Sequence, residues 1–358
     1  MSGFSLGSER CRRGRGGRLA TPRRLSHPAV LGSGTGAVRR GAAIIAPPMA
    51  KQPRNKLVDL AQYVGLRLVS MCLHCFPVDS NLRTAKLLGS FMYAADVKHR
   101  KRALANLARS FPDMPEPDRR ALAKRSMQQL FMLFVEILFT TRLVRIDTWA
   151  DYVHLENFRD VLALLMERDR GLIMLTGHYG NWEILGYTLA TLGFDTTSIA
   201  RPLDNRYVNS WLLGIRERKG QRIIAKKGAT PEITAVLDAA GAIGIIADQN
   251  AGPKGIFVDF FGRKASTYKS IGLLAMQYRI PVVIGYARRD GDRFRFRVGA
   301  QDIIYPADWD AQPDPLRYIT QRYTRAIEDF IRADPGQYLW VHRRWKTRPK
   351  GEAAEVYD

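Results

Sequence analysis

From about residue 155 onward, short apolar runs rich in β-branched side chains alternate with stretches whose apolar positions return every three to four residues. The runs predict strands at Leu172–Thr176, Thr196–Ala200, Arg222–Ala225, Ile243–Ala247, Phe257–Phe261, Pro281–Tyr286 and Arg293–Val298. The intervening stretches predict helices near 182–192, 205–219, 231–240, 267–279 and 315–333. Strands alternating with helices predict an α/β fold with a largely parallel central sheet flanked by helices. On such sheets ligands gather beyond the carboxyl ends of the strands.

Earlier in the chain the spacing is helical throughout. One helix is predicted over 83–109 and another over about 118–141, where the run Leu130–Phe139 is apolar nearly all round. A helix of that kind is buried or touches lipid, and burial is the expectation. In residues 57–76, Leu57, Leu60, Val64, Leu68, Met71, Cys72 and Cys75 recur at helical spacing, interrupted by Asp59, Gln62, Arg67 and His74. Three readings stand: a helix lying in a membrane interface, a packed core helix and a membrane span. The polar interruptions favour the first. Residues 1–54 are rich in Arg, Gly, Ser and Pro without apolar periodicity, the composition of a disordered basic extension. Met49 opens a better-behaved segment and is a candidate start of translation, which the intact mass of the native protein tests. The expected organisation is therefore 1–54 extension, 55–150 helical and membrane-associating, 151–349 α/β core, and 350–358 tail.

Charge narrows the set of partners. Lys and Arg exceed Asp and Glu by 22 over 358 residues, which expects acidic company: a nucleic acid, an anionic membrane surface, a phosphorylated ligand or an acidic protein. Three cysteines, Cys11, Cys72 and Cys75, make no disulfide framework and complete no zinc site. Cys72 and Cys75 read as small apolar residues on a helix face.

The densest chemistry lies in Thr176-Gly-His-Tyr-Gly-Asn-Trp-Glu183. His178 and Glu183 are five apart, so on a continuous helix they would point away from each other. A bend is available: Gly177 and Gly180 permit unusual backbone angles, and Asn181 is a good N-cap. Folded back onto Glu183, the imidazole would have one nitrogen fixed by a carboxylate and the other free to take a proton from an alcohol. The same spacing also suits a histidine satisfied by a carboxylate in a structural loop. It does not suit zinc, since no second His or Cys cluster accompanies it.

Several further blocks occur in order along the chain. They are Ile199-Ala-Arg-Pro-Leu-Asp-Asn205, Arg216-Glu-Arg-Lys-Gly220, Ile246-Ala-Asp-Gln-Asn250, Gly255–Gly262 with Ala265 and Thr267, and Tyr338-Leu-Trp-Val-His-Arg-Arg-Trp-Lys-Thr-Arg-Pro349. Asn106-Leu and Phe111-Pro precede them. Together with Gly177–Glu183 they resemble the late acyltransferases of lipid A biosynthesis, the lauroyl and myristoyl transferase branch of the lysophospholipid acyltransferase superfamily, over roughly residues 57–349. The resemblance implies a glycerol-3-phosphate acyltransferase-like core and transfer of a fatty acyl chain from a thioester to a glycolipid hydroxyl. His178 would be the base and Glu183 its partner. Acyl carrier protein would be the donor and a lipid A precursor the acceptor, at the cytoplasmic face of the inner membrane. No metal or redox cofactor and no nucleic acid are implied.

Substrate-binding candidates are Arg201, Arg216, Asp248, Arg343 and Arg344. Arg201 reads as an anion clamp or a structural ion pair, and Asp248 as a site residue or a cap. Arg343, Arg344, Lys346 and Arg348, set among Trp340 and Trp345, read as a solvated basic tail or a surface for anionic lipid. Where the wider superfamily carries Phe-Pro-Glu-Gly for an acceptor phosphate, this chain has Asp248-Gln249-Asn250, which argues against a simple glycerol-phosphate acceptor. Another glycolipid or phospholipid is the alternative acceptor, and a basic protein binding anionic lipid or nucleic acid is the alternative outside enzymes.

Overall fold

The computed structural model describes residues 55–352; the basic extension assigned to 1–54, with Met49 and Cys11, lies outside them, as do residues 353–358. Four helices come first: α1 (Lys56–His74), α2 (Val78–Ala95), α3 (Val97–Ser110) and α4 (Glu116–Leu143). Asn55 caps α1, its Oδ1 accepting from Leu57 N at 2.9 Å. The single helix predicted over 83–109 is two. Asp96 leaves the helical region with φ −88° and ψ 79°, and its side chain accepts from His99 N to start α3. In α4 the apolar run is mostly buried, as expected: Met132, Leu133, Val135 and Phe139 lie inside, while Phe134 is exposed.

The α/β portion runs α5 (Trp149–Tyr152), β1 (Val153–Glu156), α6 (Arg159–Glu167), β2 (Leu172–Thr176), α7 (Trp182–Thr191), β3 (Thr196–Ala200) and α8 (Arg206–Glu217). It continues β4 (Arg222–Ala225), α9 (Thr230–Asp238), β5 (Ala242–Ile246), β6 (Ile256–Phe260) and β7 (Arg263–Thr267). It ends with α10 (Lys269–Tyr278), β8 (Val282–Arg289), β9 (Phe296–Ile304), α11 (Pro306–Asp310) and α12 (Pro315–Ala333).

Seven strands form one sheet in the order β1-β9-β8-β2-β5-β3-β4, and β6 pairs with β7 as a separate hairpin. Strands β8, β2, β5, β3 and β4 run parallel; β9 is antiparallel to β8 and carries β1 beside it. The largely parallel sheet expected from the alternation is therefore present. Successive strand residues face opposite sides, and β2 is covered on both. Ile173 and Leu175 join Ile243, Ile284 and the inner face of α12 in one cluster. Leu172 joins Val283, Val298, Ile184 and Phe139 in the other. Such two-sided burial fixes β2 rigidly, and with it the loop that leaves its carboxyl end.

Helix α1 packs on α8, with Tyr63 stacked on Tyr207 and Asn205 Nδ2 donating to Asp59 O at 2.9 Å. Many of its apolar side chains are not covered: Leu57 is 75% exposed, Leu68 56% and Met71 61%. No helix among the described residues is long and apolar enough to cross a membrane, so the spanning reading of 57–76 falls. The packed-core reading falls with it, because the apolar positions face outward. Cys72 and Cys75 are exposed free thiols.

Segment 338–348 is not a solvated tail. Trp340 and Trp345 are fully buried, and so is Arg344. Asn106 of α3 clamps the segment, its Nδ2 donating to Trp340 O at 2.8 Å and to His342 O at 3.0 Å.

Candidate active site

The bend predicted after β2 is present. Gly180 has φ +55°, and a Cβ there would lie 2.0 Å from Ala287 O, so no other residue fits. Asn181 Oδ1 then accepts from Glu183 N and Ile184 N at 3.1 and 2.9 Å and starts α7. The partner predicted for the imidazole is wrong, however. His178 Nδ1 lies 2.7 Å from Asp248 Oδ1, and His178 N donates to the other oxygen, Oδ2, at 3.0 Å. Glu183 turns instead to Arg216, whose Nε and one terminal nitrogen donate to its two oxygens at 2.7 and 2.5 Å. Strand order is the reason. β5 lies beside β2, and Ala247 N still donates to Thr176 O at 2.9 Å, so Asp248 emerges next to Gly177-His178. The guanidinium fork of Arg216 meanwhile matches the carboxylate of Glu183 at the start of α7.

An ionised carboxylate only accepts hydrogen bonds, so Nδ1 carries a proton; in the neutral ring the lone pair is then on Nε2. The Asp248 side chain is 0% exposed and that of His178 13%. Burial would push Asp248 up; the charge and hydrogen bonds of His178, with a smaller contribution from His342, outweigh it and hold the carboxyl well below the usual range. The ring of His342 lies 4.4 Å from that of His178, centroid to centroid. Burial, then the neighbouring His178, lowers His342 to about 4, so it is neutral near pH 7. Trp182 packs edge-on to His178 at 4.9 Å, and Leu339 N donates to His178 O at 3.0 Å. Among the described residues, His178, Asp248 and His342 are the one group whose ligand atoms gather closely enough for a metal ion, within 4.8 Å of one another. Nδ1 of His178 is already engaged by Asp248.

Trp182 is also a wall of an apolar cavity of about 100 Å³ between the sheet and α7. Met174, Leu185, Leu189, Ile245 and Val283 supply its apolar lining, and the Glu183–Arg216 pair stands among its lining residues. Of the other candidates, Arg201 is exposed just beyond β3 and Arg343 is exposed near His342; neither side chain has a hydrogen bond or ion pair among the described residues. Arg344 is 1% exposed and has no surface to offer a ligand. It donates to Gln249 O, Ser266 O and Thr267 Oγ1, and so braces the loop behind Asp248.

Three residues in or beside the site escaped the sequence, among them Gln249, whose amide nitrogen lies 3.5 Å from His178 Nε2. His342 and Gln249 each sit inside a block singled out for other residues, and nothing in the spacing brings those blocks to His178. Glu136 is the third. It is fully buried on α4, forms an ion pair with the equally buried Arg289 of β8, and accepts from Asn181 Nδ2 at 3.0 Å. An acidic residue within an apolar helical run is the signal that could have found it.

A histidine at the end of a central parallel strand, held by a buried aspartate and flanked by an apolar cavity, marks the candidate site of an α/β protein. The chain belongs to the bacterial lipid A biosynthesis acyltransferase family, whose model matches residues 51–347. It is an acyltransferase of lipid A biosynthesis. Similar proteins include the lipid A biosynthesis lauroyltransferase of Escherichia coli K12, 27% identical over 69% of this chain and 78% of that protein. The myristoyltransferase of the same organism is 26% identical over 74% and 80%, and the palmitoleoyltransferase 25% over 70% and 80%.

Proposed function

We propose that this chain moves a fatty acyl group from the thioester of acyl carrier protein to a hydroxyl of a lipid A precursor, with His178 as general base. The observation that carries this is the His178–Asp248 contact, 2.7 Å long and sealed on the carboxylate side, with Nε2 left to accept a proton. The hydroxyl oxygen attacks the thioester carbon as its proton passes to Nε2. The carbon–sulfur bond then breaks, and the thiolate takes that proton back. Asp248 fixes the tautomer and stabilises the transient imidazolium. Glu183 acts through its pair with Arg216, at the cavity that the acyl tail would enter. An excess of 22 basic residues favours encounter with an acidic carrier and with a phosphorylated glycolipid. In the assay that tests this, wild type, acyl carrier protein charged with a fatty acid and a lipid A precursor give a product heavier by one acyl group in the mass spectrum. Transfer from acyl-coenzyme A at the same rate would remove the carrier from the proposal, and no product from either donor would remove the proposal itself.

We infer too that α1 docks on the anionic cytoplasmic face of the inner membrane as a peripheral helix. Leu57, Val64, Leu68 and Met71 are exposed together, with Lys56 and Arg67 on the same helix. Leu68→Glu with Met71→Glu is expected to release the protein from anionic vesicles in flotation at least tenfold; retention of the double variant would assign membrane contact to another surface.

A further inference from the structure

The attack that His178 would assist creates a negative charge on the thioester's carbonyl oxygen, and such a charge needs donors placed in advance. The backbone around His178 is largely spent. His178 N donates to Asp248, Tyr179 N to Gly177 O, Gly180 N to Gln337 O and Asn181 N to Ala287 O. Glu183 N and Ile184 N go to Asn181 Oδ1. On the closing segment Leu339 N donates to His178 O and His342 N to Leu339 O.

One side chain stands apart. The amide nitrogen of Gln249 lies 3.5 Å from His178 Nε2. In the neutral ring, with the proton on Nδ1, Nε2 carries the lone pair and the group facing it is an amide N–H. The backbone of Gln249 is held, because its carbonyl accepts from the buried Arg344, while its side chain is exposed. It therefore turns on a fixed pivot next to the atom that takes the proton.

We propose that Gln249 is the oxyanion donor of this transferase: its amide N–H stabilises the tetrahedral intermediate formed from the acyl thioester. The proposal rests on His178 acting as the base. The acceptor hydroxyl binds within hydrogen-bond reach of Nε2 and displaces the amide from the ring. The displaced amide meets the carbonyl oxygen, which in the intermediate is bonded to the same carbon as the attacking oxygen. As the new carbon–oxygen bond forms, the carbonyl π pair moves to oxygen and accepts the Gln249 N–H. The pair returns as the carbon–sulfur bond breaks, and the thiolate leaves with the proton from His178.

Gln249→Ala and Gln249→Glu separate this role from its rivals. Losing one oxyanion donor lowers kcat by about 10²- to 10³-fold, and both variants are expected in that range. Glutamate matches glutamine in shape but has no N–H, so it does not rescue. KM for donor and acceptor should change less than about threefold in Gln249→Ala, with an unmoved pH at which kcat/KM turns and the melting temperature of wild type; in Gln249→Glu that pH should rise, because a carboxylate beside Nε2 favours the imidazolium. A faster Gln249→Ala would mean that the amide only blocks the base. A kcat within threefold of wild type would place the oxyanion on another donor, the first-turn amide of Trp182 being next in line. Either result overturns the assignment. His178→Ala tells this failure from that of the underlying reading: if it is inactive while Gln249→Ala is active, only the oxyanion role falls.

Discussion

Replacing His178 by alanine is expected to lower kcat for acyl transfer by about 10²- to 10⁴-fold, the span that a positioned general base contributes, with no loss of fold by circular dichroism. Asp248→Asn falls in the same range. An asparagine keeps the volume but removes the charge that stabilises imidazolium, and its amide favours the tautomer with the proton on Nε2. The partner is checked by NMR of the ring. The Nδ1–H resonance of His178 is expected to persist in Glu183→Gln, because Glu183 is committed to Arg216, and to vanish or shift strongly in Asp248→Asn. The opposite outcome would restore Glu183 as the partner and displace Asp248. Full activity in His178→Ala would end the general-base mechanism altogether.

The second large effect concerns stability. Glu136 and Arg289 are both 0% exposed and joined by two hydrogen bonds, one of them 2.8 Å long. Glu136→Ala leaves a guanidinium charge in the interior without its counter-charge, which costs about 3–5 kcal/mol. At roughly 2–4 °C per kcal/mol for a chain approaching this size, the melting temperature drops by about 10 °C. Glu136→Leu combined with Arg289→Met removes both charges and is expected to recover most of that loss. A thermal melt of the three proteins decides it; a loss below about 1 kcal/mol in Glu136→Ala would mean that the charge is compensated elsewhere. Activity has its own stake, because Glu136 accepts from the asparagine that starts α7. The double variant therefore restores the melt more fully than the rate.

Much of the architecture could be read from apolar spacing, because the buried elements obey it. β2, β3 and β4 and helix α12 have the bounds that the spacing predicts. What escaped is held by other forces. β7 is Arg263–Thr267, with two charges and no apolar alternation. It is a strand because Phe261 and Gly262, both at positive φ, fold it back onto β6. β1 is four residues at the sheet's edge, too short for a period to show. The break at Asp96 is a capping event inside a continuous apolar pattern, which spacing alone passes over. The site divides the same way. The loop of His178, its glycine turn and its asparagine cap were legible because they are local. The pairing with Asp248 was not, since periodicity locates strand ends without saying which strands are neighbours. With β5 beside β2, a carboxylate 70 positions away outcompetes one five positions away.

Asn106, Leu339 and His342 also bear on the order in which the site is built during synthesis. While the ribosome has yet to deliver residues 338–345, the β2 loop has been made, but the carbonyl of His178 has no amide to meet and the two buried tryptophans have not filled their places. A nascent chain therefore carries His178 for about 160 residues of elongation before that ring acquires its finished surroundings. The setting of that ring is therefore completed by the segment that reaches it last, residues 338–345.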